Sequence, residues 1–366
     1  MNKVVRERTT CRLCDGALLP VFKLAPSPLP NSFPLYPDEG ADRFPLELMQ
    51  CVNCAHVQLR HIVSGLFTEY KYKTPYVPHW SFAAADLRKR FPEANTVLEI
   101  GANNASFLKP LRDEGFTAIG VDPNTDDPES LKEYFSESTA KNLGKKFDLI
   151  VSNNTFGHID DLHDVFRGID MALSNDGALV FEQMYLLDLI EGGTFDRIYS
   201  DHLSQFTLRP LARFLKRMGF VMTQFEHLET HGGSMRITAR RNGEQAILPE
   251  EPLAWDHLRN KMEIARERLI GILQESKPVV AFGASSKACI LFNEFGLAPF
   301  ISFVVDDTSI KQGRYIPGTA LQIKPVSALN GEAVLLTAWN YEALIRKRLP
   351  NSRLINPFSE LGLVQE

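Results

Sequence analysis

The sequence has 366 residues, of which 44% are hydrophobic and 23% are charged, and its formal net charge is −5. This length allows two or three folded cores, and the composition is that of an ordinary globular protein. No segment gathers enough Lys and Arg to neutralise a run of phosphates, which argues against nucleic acid as a partner. No stretch reaches 18 apolar residues and no apolar leader segment is present, so we expect a cytoplasmic protein without a membrane span.

Four of the five cysteines form two Cys-x-x-Cys pairs near the N-terminus, Cys11 with Cys14 and Cys51 with Cys54. Each pair can bind one side of a tetrahedral Zn²⁺ ion, which prefers soft ligands at about 2.3 Å. The pattern predicts a closed, structural zinc site, and two disulfides or four free thiols are the alternatives. The proline-rich segment at residues 15–50 is too long for a compact zinc ribbon, so we expect it to carry structure of its own.

Buried strands alternate with helical segments in the centre of the chain, at residues 95–108 (strand, tight turn and helix), 117–122, 147–152 and 177–182. This alternation predicts a doubly wound parallel sheet whose ligand lies beyond the carboxyl ends of the strands. Glu99 and Asp122 end the first two strands, and an acid at the second position usually contacts ribose hydroxyls. The first turn contains only Gly101 where a dinucleotide site needs three glycines, so a pyrophosphate fits poorly there.

A second α/β unit follows, in which apolar strands precede small-residue turns or helices, at residues 277–287, 300–307 and 333–340. An amphipathic helix is predicted at residues 255–273, after a polar stretch that begins near Gly243. Cys289 lies in an apolar run and is expected to be a buried helix residue with no role as a nucleophile. We therefore predict three domains, at residues 1–65, 66–243 and 244–366.

Several motifs occur in one order along the chain: the paired cysteines, then residues 70–74, 99–103, 154–158, 199–202, 231–236, 283–287, 311–318 and 339–340. In this respect the sequence resembles the nucleotide-linked deoxysugar 3-C-methyltransferases, which add a methyl branch to a keto-sugar. The resemblance implies a central class I S-adenosylmethionine (SAM)-dependent methyltransferase domain, Rossmann-like, between an N-terminal Cys₄ zinc-binding module and a C-terminal α/β domain. It also implies SAM and structural Zn²⁺ as cofactors, a nucleotide-linked 4-keto-6-deoxy sugar as substrate, and a monomer.

The resemblance further implies which residues form the site. The residues expected to bind SAM are Glu99, Gly101, Asn103, Asp122, Asn153 and Asn154. Methylation at C3 needs a base that forms an enolate, a task suited to histidine, and His202 stands where the family places its base. The other expected catalytic residues are Asp201, Tyr199, His158, Tyr72 and Tyr76. The residues expected to bind the sugar nucleotide are His231, Ser234, Arg236, Ser285, Lys287, Lys311, Arg314 and Tyr315.

The chain departs from the family pattern at two places. Tyr199-Ser-Asp-His-Leu-Ser-Gln205 replaces Tyr-His-Glu-His-Leu-Ser-Tyr, and Asn104-Ala105 replaces the more frequent Asp-Gly of the cofactor turn. Two other functions therefore stay open: methylation of a hydroxyl oxygen or a non-sugar carbon, and non-catalytic binding of a sugar nucleotide. Structural roles also stay open, with Tyr72 and Tyr76 as packing residues and the basic residues of the last domain as solvated surface charges.

Overall fold

The computed structural model describes residues 3–37, 42–66 and 78–358. At the N-terminus, β1 (Val5–Glu7) pairs with β5 (His61–Val63). Strands β2 (Leu18–Ser27), β3 (Phe44–Cys51) and β4 (Val57–Leu59) form an antiparallel sheet in that order. The segment between the cysteine pairs thus carries structure of its own, as predicted. β4 also pairs with β10 (Ser204–Gln205), a short strand from the central part of the chain.

The central part is a mixed sheet with helices. Its elements are α1 (Pro78–Arg90), β6 (Thr96–Ile100), α2 (Leu108–Asp113), β7 (Thr117–Val121), α3 (Glu137–Leu143), β8 (Phe147–Asn153), α4 (Leu162–Ala172), β9 (Leu173–Met184), α5 (Leu186–Gly192), α6 (Leu208–Arg217), β11 (Val221–Leu228) and β12 (Ser234–Arg240). The strand order is β11-β12-β9-β8-β6-β7. Because β7 and β8 lie on opposite sides of β6, a crevice opens beyond the carboxyl end of β6.

The sheet differs from the predicted all-parallel arrangement at one edge. Strands β7, β6, β8 and β9 are parallel, but β12 runs antiparallel to β9 and β11 antiparallel to β12. The connection between β11 and β12 is too short for the helical crossover that parallel strands need, so these two strands form a hairpin. The parallel half, which holds the predicted cofactor residues, agrees with the prediction.

The C-terminal part is a second α/β unit with a parallel sheet in the order β15-β14-β13-β16-β17. Its elements are α7 (Trp255–Glu275), β13 (Val279–Phe282), α8 (Ser286–Phe295), β14 (Val304–Val305), β15 (Ile323–Lys324), β16 (Ala333–Leu336), α9 (Glu342–Arg348) and β17 (Leu354–Ile355). Cys289 is buried within α8, as predicted.

Shared apolar cores connect the three parts. Phe22 and Leu46 of the N-terminal sheet pack in the same cluster as Leu189 of α5 and the strands of the C-terminal sheet. The cysteines of the N-terminal module pack in a second cluster with the central sheet and α4. Within the described ranges, no helix is both long enough and apolar enough to cross a bilayer. The segment at residues 186–206 follows β9 and packs against both the N-terminal and the C-terminal unit.

Candidate active site

The four paired cysteines converge on one point. Their Sγ atoms all lie within 4.8 Å of one another, and the Sγ atoms of Cys11 and Cys54 are 3.6 Å apart. None of the four is in a disulfide. A hydrogen bond from Cys11 lowers the pKa of the Cys54 thiol to about 5, and the same contact raises the pKa of the Cys11 thiol. Four sulfur donors at this spacing fit a tetrahedral Zn²⁺ ion with no open coordination position.

A cleft of about 640 Å³ lies between the three parts of the molecule. It begins at the carboxyl ends of β6, β7 and β8, where Glu99, Asp122 and Asn154 line it, and extends to His202. Asn31 from the N-terminal module and Lys287 from α8 line it as well. The crevice expected from the strand order is therefore lined in part by residues from both flanking units.

The predicted cofactor residues all line one end of this cleft: Glu99, Gly101, Asn103, Asp122, Asn153 and Asn154. Gly101 has a φ of +82°, and a Cβ there would lie 2.0 Å from Oγ1 of Thr155, so the turn requires glycine. Within the described part of the chain, Oε2 of Glu99 and Oδ1 of Asn154 are buried without a hydrogen-bond partner. Two unpaired acceptors beside a glycine turn fit a ligand that brings donors such as an ammonium group.

The charge state of Glu99 depends on its surroundings. Burial, and then the nearby Asp122 carboxylate, raise the pKa of the Glu99 carboxyl to about 8. A carboxyl in this state is largely neutral at pH 7, although a cation bound beside it favours the ionised form. Glu99 is therefore suited to a positively charged ligand and costs free energy when ionised without one.

At the other end of the cleft, His202 is 5% exposed. Its Nδ1–H donates to the Arg197 carbonyl at 2.7 Å, which fixes the neutral tautomer with a lone pair on Nε2. No other group in the described ranges is bonded to that Nε2. Burial, and then the neighbouring His158, lower the pKa of His202 well below its ordinary value of 6.5. The imidazole is thus a neutral base at physiological pH.

Three further predicted residues surround His202. The ring of Tyr199 lies 3.8 Å from the His202 ring, and that of His158 lies 5.1 Å from it, measured between centroids. His158 donates its Nδ1–H to the Asp201 carbonyl at 2.6 Å. Burial raises the pKa of the Asp201 carboxyl to about 6. The structure therefore brings the motif at residues 199–202 together with His158 in one place.

Asn31 of the N-terminal module contacts both other parts of the chain at the cleft. It was not among the residues predicted from the sequence. Its Nδ2 donates to Oδ2 of Asp201 at 3.3 Å, and its Oδ1 accepts from the hydroxyl of Ser286 at 3.2 Å. It lies in the proline-rich segment of the N-terminal module, where no local pattern distinguishes it from the other turn residues. Only the fold reveals its position.

Lys287 contributes a cation to the same end of the cleft. Its Nζ lies 4.6 Å from the ring centroid of Trp339 and donates to Oδ1 of Asn340. Burial lowers the pKa of the Lys287 amine to about 8, against the attraction of Asp196. Asp196 itself accepts a hydrogen bond from Nε1 of Trp339 at 2.7 Å. The predicted motif Trp339-Asn340 thus orients the lysine of the predicted Gly-Ala-Ser-Ser-Lys turn.

His231 also lines the cleft and has a positive φ of 58°. A Cβ on the adjacent Gly232 would lie 2.2 Å from the Trp339 ring, so this glycine permits close packing. Burial, and then Lys287, lower the pKa of His231 to about 4. Arg197, which the sequence analysis did not single out, lines the cleft too and is 1% exposed.

The remaining predicted residues lie outside the cleft lining or outside the described residues. Arg236 donates to Oε1 of Glu182, and Ser234 donates to the Thr230 carbonyl. The Ser285 hydroxyl caps α8 by accepting from the Ala288 amide. Lys311, Arg314 and Tyr315 form contacts with the Ala284 carbonyl, the Phe33 carbonyl and the Pro34 carbonyl, respectively. Tyr72 and Tyr76 lie outside the described residues.

Comparisons with known families match nearly the whole chain. Residues 11–65 match a zinc binding domain, residues 79–224 match a methyltransferase domain, and residues 229–354 match a C-methyltransferase C-terminal domain. These three matches show a SAM-dependent C-methyltransferase with an N-terminal zinc-binding domain. The resemblance drawn from the motifs is thereby confirmed at the level of the family, the enzyme class and its cofactors.

Two comparisons illustrate the extent of this likeness. The chain is 28% identical to C-methyltransferase NovU of Streptomyces niveus over 390 aligned residues, which cover 93% of this chain and 92% of the relative. The CcbJ methyltransferase from Streptomyces caelestis is 12% identical, with a TM-score of 0.37, and the match covers 49% of this chain and 95% of that one.

Proposed function

We propose that this C-methyltransferase adds a methyl group to C3 of a nucleotide-linked 4-keto-6-deoxy sugar, through an enolate formed by His202. The observation that carries the proposal is the state of the His202 ring. Its Nδ1–H is held by the Arg197 carbonyl, so that Nε2 presents a lone pair in a cleft shared with Glu99 and Asp122. A neutral, buried base that lines this cleft suits removal of the proton next to a carbonyl.

The residues around Glu99 would hold SAM, with Glu99 and Asn154 accepting from its ammonium group and Asp122 from its ribose hydroxyls. When bound, SAM supplies an electrophilic methyl group. The chemistry left to the protein is to form the carbon nucleophile, to stabilise it and to exclude water. Residues from all three parts line the cleft, and they would carry out these tasks together.

The enolate oxygen needs a hydrogen-bond donor, and the tautomers restrict the choice. Nδ1–H of His158 is already donated to the Asp201 carbonyl, so its neutral ring presents an acceptor at Nε2. Burial lowers the pKa of His158, which keeps the ring neutral. A tyrosine hydroxyl is therefore the better donor, and we assign this role to Tyr199, whose ring centroid lies 3.8 Å from that of His202.

The sugar nucleotide would bind along the side formed by α8. Lys287 is the cleft cation of that unit, and an anionic phosphate beside it would further favour the charged form of an amine whose pKa is lowered to about 8. Asp201, which is buried, and His231, which is half-buried, line this end and would bind the hydroxyls of the sugar. The predicted roles of Ser234, Arg236, Ser285, Lys311, Arg314 and Tyr315 stay predictions.

Product analysis tests the proposal directly. Purified protein with SAM and a nucleotide-linked 4-keto-6-deoxy sugar is expected to yield a product heavier by one methyl group, with a carbon-bound methyl signal in the NMR spectrum. A methyl signal typical of an O-methyl ether would instead favour a hydroxyl acceptor. Exchange of the C3 proton for solvent deuterium, measured without SAM, tests enolate formation separately from methyl transfer.

A further inference from the structure

Arg12 lies inside the first Cys-x-x-Cys pair, and its side chain is fully buried. It does not contact the thiols through its guanidinium group, which points instead toward the central domain. Its backbone N–H donates to Oε1 of Gln58 at 2.8 Å, and the Gln58 amide donates to the Thr10 carbonyl at 3.1 Å. The cysteine pair and the neighbouring strand β4 therefore fix the position from which this side chain extends.

The guanidinium group contacts two segments that each carry an active-site histidine. Its Nε donates to Oδ1 of Asp160 at 3.0 Å, two residues after His158. Its Nη1 donates to the Leu203 carbonyl at 3.2 Å, one residue after His202, and to the Leu59 carbonyl at 2.8 Å. One planar group thus connects both segments to β4.

Other contacts also connect these segments to the N-terminal module. Leu203 also accepts from the backbone N–H of Leu59 at 2.9 Å, and β10 extends the N-terminal sheet immediately after it. Arg6 and Arg8 also pair with Asp160, but neither is bonded to Leu203 in the described residues. Burial lowers the pKa of Arg12 to about 10, with the attraction of Asp160 opposing this shift. A buried cation of this kind is costly unless its partners are held in place.

We propose that Arg12 is a positioning residue that links the zinc site to both active-site histidines and sets the separation of their rings. This inference rests on the proposed function, in which His202 is the base. Displacement of a reacting group by about 1 Å can cost on the order of 100-fold in rate. The zinc module would then contribute to catalysis through geometry, although its metal ion takes no part in the chemistry.

The test compares Arg12→Met, Arg12→Lys and Arg8→Lys in the full-length, zinc-loaded protein. Lysine keeps the charge but lacks the fork that reaches both acceptors. We expect kcat to fall about 100-fold for Arg12→Met and about tenfold for Arg12→Lys, with zinc content and the Kd for SAM unchanged. Arg8→Lys should stay near wild type because Arg8 binds the same carboxylate without contacting Leu203. A merely structural role would lower the melting temperature and leave kcat intact at temperatures well below it.

A wild-type kcat in folded, zinc-loaded Arg12→Met would overturn the inference. If that variant does not fold, the kcat of Arg12→Lys decides in the same way. If neither Arg12 variant folds, Asp160→Asn removes the same ion pair by changing its acidic partner. Imidazole NMR signals of His158 and His202 give a readout that needs no substrate. They should shift in the Arg12 variant and not in Arg8→Lys. If the wild-type enzyme fails to methylate the keto-sugar but these shifts are seen, the proposed function fails and the positioning role stands.

Discussion

Replacement of His202 by asparagine separates the chemistry of its ring from its structural contact. In the protein, Nδ1–H of His202 donates to the Arg197 carbonyl at 2.7 Å. The amide N–H of asparagine occupies a similar position and can keep that bond, while the base at Nε2 is lost. Glutamine is the matched variant, because its longer side chain places an amide near the former Nε2. Neither amide can accept a proton from carbon.

The expected loss follows from the environment of the ring. Positioned general bases contribute typically about 10²–10⁴-fold, and most when their pKa is close to the working pH. Because burial holds the pKa of His202 well below 6.5, its contribution should lie in the lower half of that range. We expect kcat to fall about 100- to 1,000-fold, which corresponds to about 3–4 kcal/mol in the activation free energy.

The assay measures product by mass spectrometry and exchange of the C3 proton by NMR. Both rates should fall together in His202→Asn, and the Kd for SAM from calorimetry should stay constant. In the wild type, the rate of C3 proton exchange at saturating sugar nucleotide should show no fall caused by protonation of His202 between about pH 8 and about pH 6, because a base with a lowered pKa stays unprotonated. Wild-type exchange in the Asn variant would refute the assignment of His202 as base.

Three other predictions concern Glu99, the cysteine cluster and Tyr199. Because the pKa of Glu99 is about 8 in the free protein, SAM binding at pH 7 should release up to about 0.9 proton from it. Calorimetry in buffers of different ionisation enthalpy measures this proton release, which should be absent in Glu99→Gln. Cys51→Ser should remove the bound zinc and lower the melting temperature, whereas Cys289→Ser should retain the zinc because Cys289 lies outside the cluster. Tyr199→Phe should lower kcat about 100-fold with little change in KM if its hydroxyl stabilises the enolate, and an unchanged kcat would exclude that role.

The sequence predicted those features that depend on local spacing. The cysteine pairs specify a four-ligand cluster because ligand geometry fixes the distance between paired thiols. The common position of Glu99 and Asp122 could be predicted because parallel neighbouring strands place their carboxyl ends at one edge of the sheet. The motif at residues 199–202 pointed to His202, and the fold indeed places that ring in the same cleft as Glu99.

Features that depend on contacts between distant segments could not be predicted. Arg12 and Asp160 are 148 residues apart, and neither differs in sequence from an ordinary surface charge. The basic residues at 311 and 314 follow small-residue turns as Lys287 does, yet only Lys287 lines the cleft. The difference arises because Lys287 lies in the first turn of α8, which faces Trp339, whereas Lys311 donates to a backbone carbonyl of its own domain. A local motif cannot report that orientation.

The junction at Asn31 explains why the cleft requires all three parts of the chain. Its Nδ2 donates to Asp201 of the central part, and its Oδ1 accepts a hydrogen bond from Ser286 of α8. Burial raises the pKa of Asp201 to about 6, so an ionised Asp201 without the Asn31 donor would be costly. If the N-terminal module moved away, water would hydrate this carboxylate and enter beside His202. The packing of the domains therefore limits how much of His202 is exposed, which is 5% in this arrangement.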